Sequence, residues 1–295
     1  MPSKGARLAW LRPPKPGPAG SMSLGDHLRE LRYRFLISMA AILVTTALSL
    51  IFEAQLLQVV LWPIRQAVEV FEASRPGDSV EMVTQGITAG FSLYFRVCFV
   101  AGFIAACPIW LFQLWRFIVP ALKYRERHTA VQFLGAAVPL FLIGVVLGYW
   151  ICPRGFAMLL SFNPPSVVSL NDVGTFMSFE LRLLLIFGLA FQLPVLLVSL
   201  NRLGMISGAA LGKFRGPAVV LCGVFAAVAT PTTDALTMLA LMIPMVSMYL
   251  IAEVLCRLHD RRALAVESGS QPVLTRFGQM WSRIRPHSQS GSAEQ

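Results

Sequence analysis

The feature that most constrains this chain is a series of long apolar segments separated by short polar stretches. A helix needs roughly 20 apolar residues to cross about 30 Å of hydrocarbon, and only helices or closed barrels satisfy their backbone there. The segments are continuous rather than alternating, which favours helices over barrel strands. They lie at residues 35–51, 90–115, 130–150, 175–200, 217–230 and 235–256. The sequence therefore predicts an all-α polytopic membrane protein with six transmembrane helices.

Composition and segment length add to this prediction. Of the 295 residues, 56% are hydrophobic and only 14% are charged, and a soluble domain of this size could not cover so much apolar surface. The third segment contains Gly144 and Gly148 in a G-x-x-x-G spacing that permits close helix contact. The fifth segment offers only about 20 Å at 1.5 Å per residue. We therefore expect the last two spans to be short and to shelter against their neighbours or thin the bilayer.

The distribution of basic residues predicts the orientation. Six spans place both termini on one side of the membrane. With both termini inside, the tails and the inner stretches 116–127 and 202–215 hold nearly all the Lys and Arg, whereas the outer loops keep only Arg65, Arg75 and Arg154. This asymmetry follows the positive-inside rule and predicts cytoplasmic termini. Topology thus accounts for the net charge of +10, and we expect membrane lipid but no nucleic acid as a partner.

The two ends of the chain differ from its middle. Residues 1–22 hold five prolines and no apolar core long enough for a cleavable signal, and residues 259–295 are rich in Ser, Gly, Gln and Arg. Both are predicted to be disordered cytoplasmic tails around a membrane domain at residues 23–258. The five cysteines are scattered, with no C-x-x-C pair and no nearby His set, which is typical of packing residues. We expect neither a metal nor a cofactor.

Two acidic residues are prominent at the predicted inner side. Glu126 lies in a basic stretch at 123–127, directly after an apolar segment, which suggests a receptor site for something cationic. Glu30 lies in S-L-G-D-H-L-R-E-L-R-Y-R at 23–34, where the leucines share one face of an amphipathic helix. Spacing alone favours a local ion pair between Glu30 and Arg34, four residues later, over a binding role.

The fourth apolar segment carries polar groups. Gln192 and Pro194 lie near its middle, and Glu180 and Arg182 lie near its start. Charges within a membrane span are costly and are usually paired. We therefore expect Glu180 and Arg182 to form, with Arg96 of the second segment, a charge-paired layer beneath the outer surface.

Several blocks of residues, in a fixed order, resemble those of TatC, the polytopic receptor subunit of the twin-arginine protein translocase. The resemblance covers about 24–258. Its blocks are H-L-R-E-L-R-x-R at 27–34, W-P-I at 62–64, P-x-x-x-x-Q-x-W-x-F-x-x-P-A-L-x-x-x-E-R at 108–127, S-F at 178–179, F-G-x-x-F-Q-x-P at 187–194, T-P-x-x-D at 230–234 and I-P-M at 243–245.

The resemblance implies a function and a site. Members of the family bind the paired arginines of the signal peptides of folded proteins at the cytoplasmic face of the bacterial inner membrane. They work with TatB-type and TatA-type single-span partners, assemble with themselves, and use the proton-motive force. The recognition carboxylates fall on Glu30 and Glu126, with Arg32 nearby to repel lone cations and Phe117 shaping the start of the loop. Phe117 is equally well explained as an aromatic anchor at the membrane interface. Two adjacent guanidinium groups suit carboxylates that accept paired hydrogen bonds.

Other matched positions imply weaker roles. Many members have a glutamate where this chain has Gln192, and that residue is expected, with Pro194, to face a partner's transmembrane helix. Glutamine keeps the hydrogen-bonding capacity but cannot carry a proton. The outer loop is predicted to contain a helix at 54–71 that is interrupted at Pro63, and Pro63 is expected only to shape this loop. Asp234 matches an acid of the outer turn, but an ordinary N-cap explains it better.

Rival functions have less support. The alternative is a small-molecule secondary transporter, but such folds often contain inverted repeats, and the sequence has no convincing internal symmetry. Proteolysis would require paired Asp, H-E-x-x-H or G-x-S-x-G, which the sequence lacks. We therefore expect a receptor and organiser, not an enzyme.

Overall fold

The fold was analysed in a computed structural model, which describes residues 24–75, 80–118, 127–162, 169–229 and 235–267. Ten α-helices, one 3-10 turn and two short strands make up these ranges. In chain order they are α1 Leu24–Ser49, the 3-10 turn Leu50–Phe52, α2 Glu53–Ser74, β1 Val80–Val83, α3 Ala89–Ala105, α4 Cys107–Ile118, α5 Arg127–Ser161, β2 Ser169–Asp172, α6 Val173–Ala190, α7 Leu193–Arg202, α8 Gly208–Lys213, α9 Arg215–Ala229 and α10 Ala235–Glu267.

The helices are long and apolar enough for a membrane protein. Four helical stretches could each cross a bilayer by length and composition, namely Gly25–Ser74, Phe133–Ser161, Val173–Arg202 and Leu241–Leu264. The bent pair α3 and α4 could form a fifth span, and Arg215–Val228 is a shorter apolar helix. The all-α polytopic architecture is confirmed, and the count of six spans stays a prediction.

Two predicted spans are each divided in the structure. The second consists of α3 and α4, which meet at Ala106 with a bend of 58°, and the fourth consists of α6 and α7, which meet at Gln192. Pro108 and Pro194 follow these two breaks. Proline lacks an N–H and its ring clashes with the carbonyl four residues earlier, which favours a break in the helix at these two positions.

Pro63, by contrast, does not interrupt α2, so the predicted break there was wrong. The helix runs from Glu53 to Ser74 with Pro63 buried inside it. The carbonyl of Val59 loses its normal donor at residue 63, and it accepts a hydrogen bond of 2.8 Å from the hydroxyl of Tyr149 on α5 instead. The rings of Tyr149 and Trp62 also stack with 5.7 Å between centroids. A side chain of a neighbouring helix thus replaces the missing backbone donor.

Two helices extend beyond their predicted ends. The third predicted segment ends at residue 150, but α5 continues to Ser161 and buries Phe156 and Leu160 in the core. Likewise α10 continues to Glu267, past the predicted domain boundary at residue 258. Its extension is held by Asp260, which accepts hydrogen bonds from the Asn201 side chain and the Gly208 backbone at 2.8 and 2.6 Å. Burial in one case and hydrogen bonding in the other stabilise the added turns.

A small parallel sheet joins two connecting segments on one side of the bundle. β1 pairs with β2 in the register Val80↔Ser169 to Val83↔Asp172, and the sequence analysis missed both strands. Asp172 then caps α6 by accepting hydrogen bonds from the backbone and hydroxyl of Thr175 at 2.9 and 2.8 Å. The hydroxyl bond in particular holds the pKa of Asp172 below its usual range. We call this end of the bundle the sheet side.

Glycines allow the closest helix contacts. A Cβ on Gly144 would lie 2.6 Å from the Phe187 carbonyl, and one on Gly188 would lie 2.7 Å from the ring of Phe141, so the α5–α6 crossing needs both glycines. This geometry confirms the close contact predicted from the G-x-x-x-G spacing. At the α1–α3 crossing, a Cβ on Gly102 would lie 2.6 Å from the Thr46 backbone.

Candidate functional site

The candidate site is at the end of the bundle where α1 begins and α4 ends. His27 of α1 stacks on Phe117 of α4, with ring centroids 4.6 Å apart and planes 18° apart. Phe117 is the penultimate residue of α4, and Glu30 lies one turn after His27. The stack therefore brings the turn that carries Glu30 beside the end of α4. We call His27, Glu30, Arg34 and Phe117 the α1–α4 surface.

Glu30 combines an ion pair with unused hydrogen-bonding capacity. Its side chain is buried, and Arg34 donates to Oε1 through Nε at 3.0 Å and also through Nη2. The local pair expected from the spacing is thus formed. The second oxygen, Oε2, is also buried, and within the described part of the chain it has no hydrogen-bond partner. A carboxylate accepts through both oxygens, so Glu30 can receive another donor.

The cation that contacts Glu30 in the structure is Arg34. Arg32 is exposed, and on a helix a residue two positions away lies about 200° around the axis. It therefore contributes charge to the neighbourhood of Glu30 without sharing its face. Arg34, which the family match did not single out as a binding residue, is the direct competitor for any cation that approaches Glu30.

A second aromatic stack lies at the same end of α4. Trp115 stacks on Phe133 of α5 with centroids 5.8 Å apart, and the Arg202 guanidinium lies 5.3 Å from the centre of the Phe133 ring. The sequence analysis missed this arrangement, although aromatic and basic residues next to predicted helix ends gave a signal for it. The stack joins the ends of α4 and α7 to the first turns of α5.

Two of the predicted residues are not in the described ranges. Glu126 lies between the last residue of α4 and the first residue of α5, outside the described residues, and Asp234 lies just before α10, also outside them. Because α5 begins at Arg127, Glu126 directly precedes the helix that the Trp115–Phe133 stack holds against α4.

Gln192 and Pro194 lie at the junction of α6 and α7, within the bundle. The amide nitrogen of Gln192 donates to the Ala137 carbonyl of α5 at 3.0 Å, while its buried Oε1 has no hydrogen-bond partner among the residues described. Pro194 is buried. Gln192 therefore has one unused acceptor, and Pro194 shapes the helix junction from inside the protein.

The predicted charge-paired layer is not formed. Arg96 donates to the hydroxyl of Ser178, not to an acid, and Arg182 is exposed. Glu180 is fully buried, and neither of its oxygens has a hydrogen-bond partner in the ranges that the structure describes. The reason is geometric: Glu180 and Arg182 are two positions apart on α6, so their side chains leave the helix on nearly opposite faces.

A different charged cluster, which sequence reasoning missed, lies between α9 and α10. Glu253 is buried and accepts two hydrogen bonds from Arg215, at 2.6 and 2.8 Å, and it forms an ion pair of 2.7 Å with Arg257. The four-residue spacing of Glu253 and Arg257 was the available signal. The cluster fixes the start of α9 against α10. Pro63, another of the predicted residues, is buried inside α2 and has a packing role.

Comparison with known proteins agrees with the motif blocks. The sequence model of the family described as "Sec-independent protein translocase protein (TatC)" matches residues 26–244. A protein of that name from Frankia casuarinae is 36% identical over 244 residues, covering 82% of this chain and 67% of the relative. One from Xylanimonas cellulosilytica is 36% identical over 250 residues, covering 85% of this chain and 89% of the relative.

A solved structure gives the same result. The crystal structure of the twin arginine translocase receptor TatC in DDM matches with a TM-score of 0.68 at 31% identity, over 78% of this chain and 99% of that chain. Sequence and fold therefore agree over most of the described helices. This chain belongs to the TatC family of Sec-independent protein translocase proteins.

Proposed function

We propose that this chain is the receptor and core subunit of a twin-arginine translocation system, which exports folded proteins across the bacterial cytoplasmic membrane with the proton-motive force. The observation that carries the proposal is the state of Glu30. One of its oxygens is held by Arg34, and the other is buried without a partner among the described residues. An acceptor in this state suits the guanidinium of a signal peptide, since charge-assisted bonds to carboxylates are among the stronger hydrogen bonds.

The rest of the α1–α4 surface supports paired recognition. The His27–Phe117 stack places Glu30 beside the end of α4, and Glu126 lies on the segment that follows α4. Each carboxylate would receive one guanidinium of the arginine pair. Arg34 would be displaced from Glu30 or share it with the ligand, and Arg32 would add positive charge that disfavours isolated cations. Phe117 would position the segment that carries Glu126.

The test is equilibrium binding of a fluorescent twin-arginine signal peptide to the full chain in lipid nanodiscs. Glu30→Gln removes the charge and keeps the shape, and we expect affinity to fall roughly tenfold to hundredfold, because a hydrogen bond to a charged group contributes about 1.5–3 kcal/mol. Asp26→Asn is the matched control, since Asp26 is an exposed acid one turn earlier on the same helix. Equal affinities for the two variants would contradict the proposal.

Charge reversal at Glu126 separates the receptor from the transporter alternative. We expect Glu126→Lys to abolish crosslinking to a twin-arginine signal peptide and export of its folded cargo. A peptide with two lysines in place of the arginines supplies the control for specificity, because ammonium groups cannot form the paired bonds of a guanidinium. If Glu126→Lys crosslinked as well as the wild type, the chain would not be this receptor.

We propose that the unused acceptor of Gln192, which is buried in the conformation described here, meets a polar group on the transmembrane helix of a TatB-type or TatA-type partner, with Pro194 shaping the junction at which it lies. An unused amide acceptor inside the bundle supports this role. Gln192→Leu should reduce copurification with the single-span partners, whereas Gln192→Asn, which keeps an amide, should retain more of it. Unchanged copurification of the leucine variant would exclude the contact.

We further propose that both termini are cytoplasmic, that residues 1–22 and the segment after 267 are tails, and that the chain assembles with itself in the lipid bilayer. The five cysteines are all buried, so engineered cysteines can report sidedness against a low background. Met205 and Thr84 are exposed at opposite ends of the bundle by this topology. A membrane-impermeant thiol reagent is added to cells from which the outer barrier has been removed and whose cytoplasmic membrane is intact. It should label Thr84→Cys and not Met205→Cys. The reverse pattern would invert the topology.

A further inference from the structure

Glu180 is the one carboxyl of the described bundle that is fully enclosed without a partner. Its exposed fraction is 0%, and neither oxygen has a hydrogen-bond partner among the residues described. Met177 and Leu184, one turn before and after it on the same face of α6, are buried members of the main hydrophobic core. The side chain therefore points into the apolar interior and not towards a lipid or water boundary.

Among the residues that the structure describes, the groups around Glu180 offer no positive charge. Tyr149 and Cys152 of α5 lie near enough to interact electrostatically with it, and both are neutral when protonated. The other helices packed on α6 contribute apolar side chains and the Cys222 thiol to the surrounding core. Arg182, two positions after Glu180 in the sequence, is exposed, and Arg96 donates to Ser178.

Glu253 shows what a buried carboxylate needs in this protein. Its side chain is also buried, but two partly exposed guanidinium groups cover and contact it. Removing an ionised carboxylate from water without such partners is far more costly than protonating it. From this contrast we infer that Glu180 is an intramembrane proton-binding site, occupied by a proton in the conformation described here.

The position of the site sets the side from which it exchanges. Glu180 follows the first residue of α6 by seven positions, which is about 10 Å along the helix from its sheet-side end. Tyr149 is half-buried, and its side chain extends from the core to the contact between α2 and α5, where its hydroxyl lies. We expect the Glu180 proton to exchange with water from this side of the bundle, whether or not the chain receives signal peptides.

Infrared spectroscopy of the full chain in lipid nanodiscs tests the inference. At pH 7 the wild type should show the carbonyl stretch of a protonated carboxylic acid, Glu180→Gln should lose it, and Glu69→Gln, which changes an exposed acid of α2, should keep it. In D₂O the band should shift as deuterium enters the folded protein. No acid band at pH 7, a band that survives in Glu180→Gln, or a band that never shifts would each overturn the inference.

A second variant guards against a folding defect in the first. Glu180→Met removes the acid and keeps an unbranched side chain of similar volume. If the wild-type acid is uncharged, this variant should melt at or above the wild-type temperature at pH 7 and lack the acid band. A large fall in melting temperature for both substitutions would instead show that an ionised, paired carboxylate stabilises the fold, and the inference would fail.

Discussion

The proline in α2 gives the most direct test of the packing. Pro63 leaves the Val59 carbonyl without its backbone donor, and the Tyr149 hydroxyl donates to that carbonyl at 2.8 Å. Tyr149→Phe removes only the hydroxyl, so the stack on Trp62 is retained. A neutral hydrogen bond contributes about 0.5–1.5 kcal/mol net, and we expect Tyr149→Phe to lower the free energy of unfolding by about 1 kcal/mol.

The same substitution in a Pro63→Ala background separates the bond from other effects. Alanine restores an N–H at position 63, which can donate to the Val59 carbonyl within the helix. Tyr149→Phe should then cost less than half of what it costs beside Pro63, because the carbonyl keeps a donor. In this double-mutant cycle the cost of Tyr149→Phe is measured separately in each background. The packing change caused by Pro63→Ala is present in both proteins of the alanine background and therefore cancels.

Reversible unfolding by SDS titration, followed by tryptophan fluorescence, measures the four free energies. The coupling between the two substitutions should be roughly 0.5–1 kcal/mol, with the sign that makes Tyr149 more important when proline is present. Equal costs of Tyr149→Phe in the two backgrounds would refute the reasoning, because the hydroxyl would then not be serving the carbonyl that proline leaves open.

Three further predictions follow from single contacts. Glu253→Gln should lower the melting temperature by at least about 5 °C in differential scanning fluorimetry, because two guanidinium groups lose their counter-charge. Gly188→Ala should cost about 1–3 kcal/mol in SDS titrations, since its Cβ would lie 2.7 Å from the Phe141 ring, whereas Gly135→Ala, with open space around it, should be neutral or stabilising. Because the pKa of Asp172 is lowered in the folded protein, its ionised side chain contributes fully to stability at any pH above the ordinary carboxyl pKa. This contribution to stability is lost as the pH falls through the lowered pKa. Asp172→Asn should flatten that acid limb of the pH–stability curve.

The three prolines show how far sequence alone could predict this fold. Apolar length predicted the helices, because hydrocarbon thickness sets how many residues a span requires. The same local rule, that proline disfavours a continuous helix, applies to Pro63, Pro108 and Pro194. However, α2 continues through Pro63, whereas the other two prolines follow breaks. At Pro63 the open carbonyl accepts a hydrogen bond from a tyrosine 86 residues away in the sequence, and no local rule associates the two.

The candidate site, like the fold, could be predicted only in part from the sequence. The family resemblance, and not spacing, selected Glu30 as a binding residue, while spacing correctly predicted its pair with Arg34. Neither could predict that one oxygen of Glu30 would have no partner among the described residues, because this depends on how α1 packs on α4. The His27–Phe117 stack joins residues 90 positions apart in the sequence, so it too required the tertiary structure.

The two buried glutamates, Glu180 and Glu253, differ in whether an arginine shares their helix face. Each has an arginine close by in its own helix, Arg182 for Glu180 and Arg257 for Glu253. The spacing of two places the first pair on opposite faces, and the spacing of four places the second on one face, where the ion pair is formed. Helical periodicity thus predicts which acid keeps its charge before any packing is considered. The predicted charge-paired layer was wrong because the prediction considered only the depth of each charged residue in the membrane. It ignored the direction in which each side chain leaves the helix. Moving the arginine, in an Arg182→Leu, Leu184→Arg variant, should therefore convert Glu180 from an uncharged acid into a paired carboxylate, and loss of the acid band at pH 7 would be the measurement of that conversion.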